Sequence, residues 1–226
     1  MCGRYTLKAD GRSVAKLFDL AGESREFEIE PRYNIAPTQQ VAVVLEDDAR
    51  ERELRMMRWG LIPFWADDPG IGSRMINARA ETVAEKPSYR SAFKRRRCLI
   101  PADGFYEWKK EEGGKQPYHL RLKDGGPFGF AGLWETWSME GGEELLSTTI
   151  VTTEPNEVAA EVHNRMPVIL RPELYDVWLD PGNDERDELI SMLSPYPADE
   201  MEAYPVSRRV NKPLNDGPDV ISPIGG

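Results

Sequence analysis

The chain has 226 residues, 39 of them acidic and 29 basic, for a formal charge of −10. A protein that coats nucleic acid unselectively is basic overall, so that class is excluded, whereas a local basic groove is not. Residues 1–110 carry 20 basic against 17 acidic groups and residues 111–226 carry 9 against 22, so an anion-binding site is expected mainly in the first half.

The length suits one domain spanning residues 1–226, and a hydrophobic content of 40% argues against wholesale disorder. No 18-residue apolar run could span a membrane, and Met1-Cys2-Gly3-Arg4-Tyr5-Thr6 lacks the apolar centre of a signal peptide. Two cysteines make no disulfide scaffold, and no CxxC pair or histidine cluster points to a metal. The expectation is a soluble cytoplasmic protein with neither membrane nor metal partner.

In chain order, the first periodic segment is Arg12–Leu20, a predicted helix with Val14, Leu17 and Phe18 on one face and Gly22 as its stop. Predicted strands follow at Gln40–Leu45 and Glu53–Trp59, then a short helix at Arg79–Lys86 that ends before Pro87. Five more strands are predicted, at Arg97–Ile100, Phe105–Lys109, Tyr118–Leu122, Phe128–Trp134 and Leu146–Thr152. Gly113-Gly114, Gly125-Gly126 and Gly141-Gly142 punctuate them as hairpin turns would. Thr153-Glu154-Pro155 opens a helix expected to reach about His163, and Pro172–Leu179 and Glu185–Leu193 read as surface helices. Short strands, few helices and no βαβ rhythm give an α+β class built on curved, mainly antiparallel sheet.

Cys2 is the first sharp chemical feature. Aminopeptidases commonly remove Met1 when residue 2 is small, and the product carries an α-amine and a thiol on one Cα. Such a 1,2-aminothiol attacks an aldehyde through nitrogen and then closes a thiazolidine through sulfur; modest stabilisation of the thiolate would favour this. Position alone leaves a small first-strand residue about equally plausible. Cys98 reads as an inert core thiol.

Other candidates lie in compact blocks, each with an ordinary alternative. Asn77, two residues before Arg79, is a positioning amide or a helix cap. Glu107, in an aromatic strand, is a proton-transfer group if burial raises its pKa, and otherwise a surface carboxylate. His163 sits at an expected helix C-terminus, which favours its protonated form. His119 reads as a strand histidine with no chemical neighbour. Trp65, in a Pro-bounded loop, either stacks on a base or anchors the loop in the core. Lys94-Arg95-Arg96-Arg97 reads as a solvated strand entry.

Together these blocks resemble the SOS response-associated peptidase (SRAP) family. The matching segments are Met1-Cys2-Gly3-Arg4-Tyr5, Arg32-Tyr33-Asn34-Ile35-Ala36-Pro37, Trp59-Gly60-Leu61-Ile62-Pro63, Ile76-Asn77-Ala78-Arg79-Ala80-Glu81, Pro101-Ala102-Asp103-Gly104-Phe105-Tyr106-Glu107-Trp108, Val162-His163-Asn164-Arg165-Met166-Pro167 and Val206-Ser207, in family order. The resemblance implies a single domain with a barrel-like sheet, flanking helices and a positively charged cleft for single-stranded DNA. It implies that Cys2, freed of Met1 (by autoproteolysis or otherwise), crosslinks abasic sites as a thiazolidine, in a peptidase- or lyase-like activity without a cofactor. It carries catalytic roles to Cys2, Asn77, Glu107 and His163, phosphate contacts to Arg4, Arg79 and Arg165, and DNA contacts to Thr152 and Trp65. It implies a monomer that associates with the nucleoid when bound to DNA. Ala66 replaces a second tryptophan and Met166 an arginine found in some relatives, so less stacking surface and one fewer phosphate partner are expected. Two other readings stay open: an N-terminal-nucleophile hydrolase, and a non-covalent reader of modified bases.

Overall fold

The computed structural model describes residues 2–20, 29–47, 49–138 and 141–224. The chain opens with strand β1 (Tyr5–Leu7) and helix α1 (Gly11–Leu17), whose first turn is capped by the Asp10 side chain accepting the Ser13 amide at 2.8 Å. The helix buries Val14 and Ala15 and ends before the predicted Leu20, because Asp19 adopts φ 49°. Gly22, its expected stop, lies outside the described residues.

Strands β2 (Arg32–Ile35), β3 (Gln40–Glu46) and β4 (Arg52–Trp59) come next. The predicted helix at Arg79–Lys86 is absent: residues 77–79 form strand β5 (Asn77–Arg79), residues 80–85 are turns, and helix α2 (Arg90–Arg95) starts later. Then come β6 (Arg97–Ala102), β7 (Gly104–Glu111), β8 (Gly114–Leu122), β9 (Phe128–Ser138) and β10 (Glu144–Thr153). Each contains its predicted strand; Gly125-Gly126 and Gly141-Gly142 fall between strands, and Gly113-Gly114 turns into the start of β8. Helix α3 (Glu157–Ala160) is capped by Asn156 and stops three residues short of His163. Strands β11 (Met166–Pro167) and β12 (Ile169–Leu170), helices α4 (Tyr175–Leu179) and α5 (Arg186–Ser191), and β13 (Met201–Pro205) complete the order.

Five strands close on themselves in the order β10-β4-β3-β6-β9, because β9 also pairs with β10. Closure removes sheet edges, and only the β4–β10 contact in this ring is parallel. β5 and β11 extend β10, and β12 extends β9. A second sheet runs β13-β8-β7-β1-β2, all antiparallel. The expected α+β class with a barrel-like, mainly antiparallel sheet is therefore what forms. Tyr5 of the second sheet packs edge-on against Trp59 and Phe130 of the barrel, with centroids 5.3 and 5.9 Å away, so the main core lies where the two sheets meet. A smaller cluster of Tyr106, Val206, Val210 and Val220 forms around the C-terminal segment.

Two readings of polar residues change. His119 has neighbours: its Nε2 lies 3.3 Å from Thr6 Oγ1 and its Nδ1 3.0 Å from Tyr204 Oη, and burial pushes its pKa down to about 3. The basic run is not simply solvated. Arg97 is buried and donates to the carbonyls of Phe93, Lys94, Trp178, Asp180 and Asn183, closing carbonyls left open at the ends of α2 and α4.

Gly60 follows β4 at φ 128°, and a Cβ there would run into the Gly72 carbonyl. Gly60→Ala should therefore destabilise by about 3 kcal/mol, from overpacking against backbone that has no rotamer to give. A thermal melt followed by circular dichroism checks it; an unchanged midpoint would contradict the assigned close approach.

Candidate active site

Cys2 enters the fold through the ladder that follows it. Tyr5 pairs with Phe105, and the Tyr106 amide donates to Arg4 O at 2.9 Å, so the register continued one step sets Gly3 opposite Glu107. Side chains alternate along β7, which puts Glu107 on the same face as buried Phe105 and opposite to Tyr106. Glu107 is 3% exposed.

Asn77 arrives from the barrel. Its strand pairs in parallel with β10, Asn77 opposite Ile150 and Arg79 opposite Thr152. The preceding backbone is held by Trp59 Nε1 donating to Ile76 O at 2.9 Å and by the Leu61 amide donating to Met75 O at 3.1 Å. Asn77 is therefore a strand residue, not a helix cap. Its Nδ2 donates to Cys2 O at 2.8 Å, and Tyr89 Oη donates to Asn77 O at 3.2 Å. Asn77 Oδ1 is buried without a hydrogen-bond partner among the described residues.

His163 lies beyond α3, its Nδ1 accepting the Arg165 amide at 3.2 Å and standing 3.9 Å from Glu107 Oε2. Burial lowers its pKa, which reverses the expectation of a favoured protonated form: the helix C-terminus that would have stabilised the charge ends at Ala160. Burial pushes Glu107 up to about 7, so near neutrality it exists in both protonation states. Cys2 is fully buried, and burial, reinforced by the charge of Glu107, pushes its thiol well up. The sulfur is held as a thiol, without the thiolate stabilisation that would favour its reaction. Cys98 is buried as expected, with its Sγ 3.6 Å from Thr148 Oγ1.

The structure thus brings Cys2, Asn77, Glu107 and His163 into one group, with Arg79 two residues from Asn77 and Arg165 two residues from His163. Arg79 is exposed, with no ion pair among the described residues. Arg165 forms a bidentate pair with Glu81 and donates to Thr152 O at 2.6 Å. Thr152 itself is buried, so it bears on the site through Arg165. Arg4 is half-buried, its guanidinium donating to Asn34 Oδ1 at 2.7 Å and Val210 O at 2.9 Å and lying over Trp108. Trp65 is 49% exposed rather than a core anchor; Ala66 and Met166 are both buried. Glu81, Asn34 and Tyr89 support these groups unforeseen. The first two stand in blocks matched above, where their charge and amide could have been weighed; Tyr89 carries no sequence signal.

A five-stranded barrel joined to a second sheet is an arrangement shared with solved proteins. A crystal structure of a Bacteroides thetaiotaomicron protein superposes with a TM-score of 0.86 at 28% identity, covering 98% of this chain and 99% of that one. A Bordetella bronchiseptica protein gives 0.77 at 30% identity over 91% and 100%. The sequence model described as SOS response associated peptidase (SRAP) matches residues 1–213, and the chain belongs to that family. It is 47% identical over 222 residues to abasic site processing protein YoqW of Bacillus subtilis (strain 168), covering 98% of this chain and 99% of the relative. It is 33% identical to abasic site processing protein YedK of Escherichia coli (strain K12), covering 99% and 100%, and 34% identical to abasic site processing protein HMCES of Gallus gallus, covering 88% and 68%.

The raised pKa of Glu107 has a stability consequence of definite sign. Between about pH 4.5 and 7 the folded chain holds a proton that the unfolded chain releases, so stability falls as pH rises through that window and the cost stays fixed above it. Glu107→Gln should remove this term, leaving the variant up to roughly 3 kcal/mol more stable than the parent at pH 8. At pH 4 the two should match. Urea titrations at both pH values check the sign; a variant less stable at pH 8 would contradict it.

Proposed function

We propose that this chain processes abasic sites in single-stranded DNA, joining them covalently to Cys2 after Met1 has been removed. The observation that carries the reading is the convergence of Asn77, from the barrel, on the Cys2 backbone at 2.8 Å, in a group that includes a raised-pKa carboxylate and an imidazole 3.9 Å apart. An abasic deoxyribose exposes an aldehyde only when its hemiacetal opens. Glu107 and His163 exchange protons with the sugar hydroxyls, which promotes opening. The free amine of Cys2 then adds to the carbonyl carbon to give a carbinolamine. Protonation of its hydroxyl expels water and leaves an imine.

Ring closure uses the Cys2 sulfur. The Cys2 thiol adds to the imine carbon and gives its proton to a neighbouring base, Glu107 in its carboxylate form, while the imine nitrogen gains a proton to become the ring amine. Keeping sulfur protonated until this step disfavours oxidation and side reactions of a standing thiolate. Asn77 holds the cysteine backbone through Nδ2, and its unpartnered Oδ1 supplies an acceptor for the amine or a sugar hydroxyl. Arg79 and Arg165 take the phosphates near Thr152, with Glu81 releasing Arg165 to do so, and Arg4 takes another. The same proton carriers serve the reverse reaction.

Intact-mass spectrometry before and after incubation with an abasic single-stranded oligonucleotide tests this. The expected result is a chain lacking Met1 that gains the mass of the strand less water and survives denaturation. Cys2→Ala should give none, and Glu107→Gln should slow the addition by about 100-fold. A denaturation-resistant adduct on Cys2→Ala would sink the reading.

A further inference from the structure

Phe64 and Trp65 form the tip of the loop that leaves β4. Their side chains are 60% and 49% exposed, whereas Leu61, Ile62 and Ala66 on either side are buried. The tip is braced from beneath. The Ile62 amide donates to Ser147 Oγ at 2.9 Å, the Ala66 amide to Pro63 O at 2.9 Å, and Trp137 Nε1 to Ala66 O at 2.7 Å. The loop therefore holds two neighbouring rings outward while its next residue, Ala66, points in. Two adjacent exposed rings on a braced loop form an apolar patch of the kind that marks a contact site.

Their position says which partner. The loop is tied to Ser147 and Thr148 of β10, and further along the same strand lie Ile150, opposite Asn77, and Thr152, beside Arg79 and Arg165. At about 3.3 Å per residue, Ser147 to Thr152 is roughly 17 Å, the reach of a few nucleotides. Of the two acidic neighbours, Asp68 turns back to cap the following 3-10 turn, accepting the Gly70 amide at 2.8 Å, while Asp67 is exposed. Paired aromatic faces in line with cationic side chains suit unpaired bases on a phosphate backbone.

We propose that Phe64 is a second base-stacking residue, so that Phe64 and Trp65 together grip unpaired bases of the strand whose phosphates meet Arg79 and Arg165. The second ring of this loop precedes Trp65, and the stacking surface that Ala66 lacks is supplied by Phe64. The inference rests on single-stranded DNA being the partner.

Anisotropy titrations with a labelled, undamaged single-stranded oligonucleotide test it on the full chain. Phe64 is exposed, so Phe64→Ala and Phe64→Leu leave the core intact. Phe64→Ala should weaken binding about tenfold, within the range measured for one lost stacking contact. Its salt slope should match the parent's, because no phosphate contact is lost. Phe64→Leu, which keeps apolar area without a π face, should recover little of the loss. Parent-like affinity for Phe64→Ala overturns the proposal, and so does parent-like affinity for Phe64→Leu, which marks a merely apolar contact. Self-association abolished by Phe64→Ala with DNA affinity unchanged also overturns it, assigning the tip to a second copy of the chain. Adduct formation by the parent reports separately on the abasic-site reading. An adduct with unchanged Phe64→Ala binding defeats only the stacking role, and a parent that neither binds nor crosslinks defeats both.

Discussion

Every amide and carbonyl along β10 needs a partner, and the way this strand finds them organises the molecule. One edge pairs continuously with β9 from Glu144 to Ile150. The other is shared: β4 takes Ser147 and Thr148, and β5 takes Ile150 to Thr152. At the far end β11 pairs with Thr152 and Thr153. Because β4 gives way to β5 along this line, the aromatic loop, Asn77, Arg79 and the segment carrying Arg165 are all referred to one rigid backbone. The second sheet contributes Cys2 and Glu107, and the contact of Asn77 with Cys2 O joins the two halves of the site.

Burial is the other organising force, and it acts on Glu107, His163 and Cys2 with different results. It moves Glu107 to about 7, where a carboxyl can both give and take a proton, and it lowers His163 so that the imidazole is neutral. The same desolvation keeps the Cys2 sulfur protonated. The site therefore carries titratable protons on Glu107 and Cys2 rather than a standing thiolate.

Much of this was legible in the sequence, for identifiable reasons. Long strands such as Gln40–Glu46 and Glu144–Thr153 carry enough β-branched residues to announce themselves, and glycine pairs mark the turns between them. The site residues were legible through ordered blocks, not through local chemistry. Strand β5 was not legible, since three residues become a strand only because β10 offers an open edge, and Ala80 and Arg79 read equally well as a helix start. Protonation was misread at His163 because it depends on what surrounds a group, which no local window contains. Arg97, in a run of four basic residues, reads as surface and lies inside because five carbonyls converge there.

The burial of Cys2 also sets an order in time. Asn77 and Glu107 beside it, and His163 beside Glu107, lie far along the chain, so these surroundings are complete only when most of the chain has left the ribosome. Closing the barrel requires β4 to meet β10 across some ninety intervening residues, a late event in a topology dominated by distant pairings. An enzyme that trims chain ends would find residue 2 most accessible before that point, since the folded chain leaves Cys2 with no exposed surface.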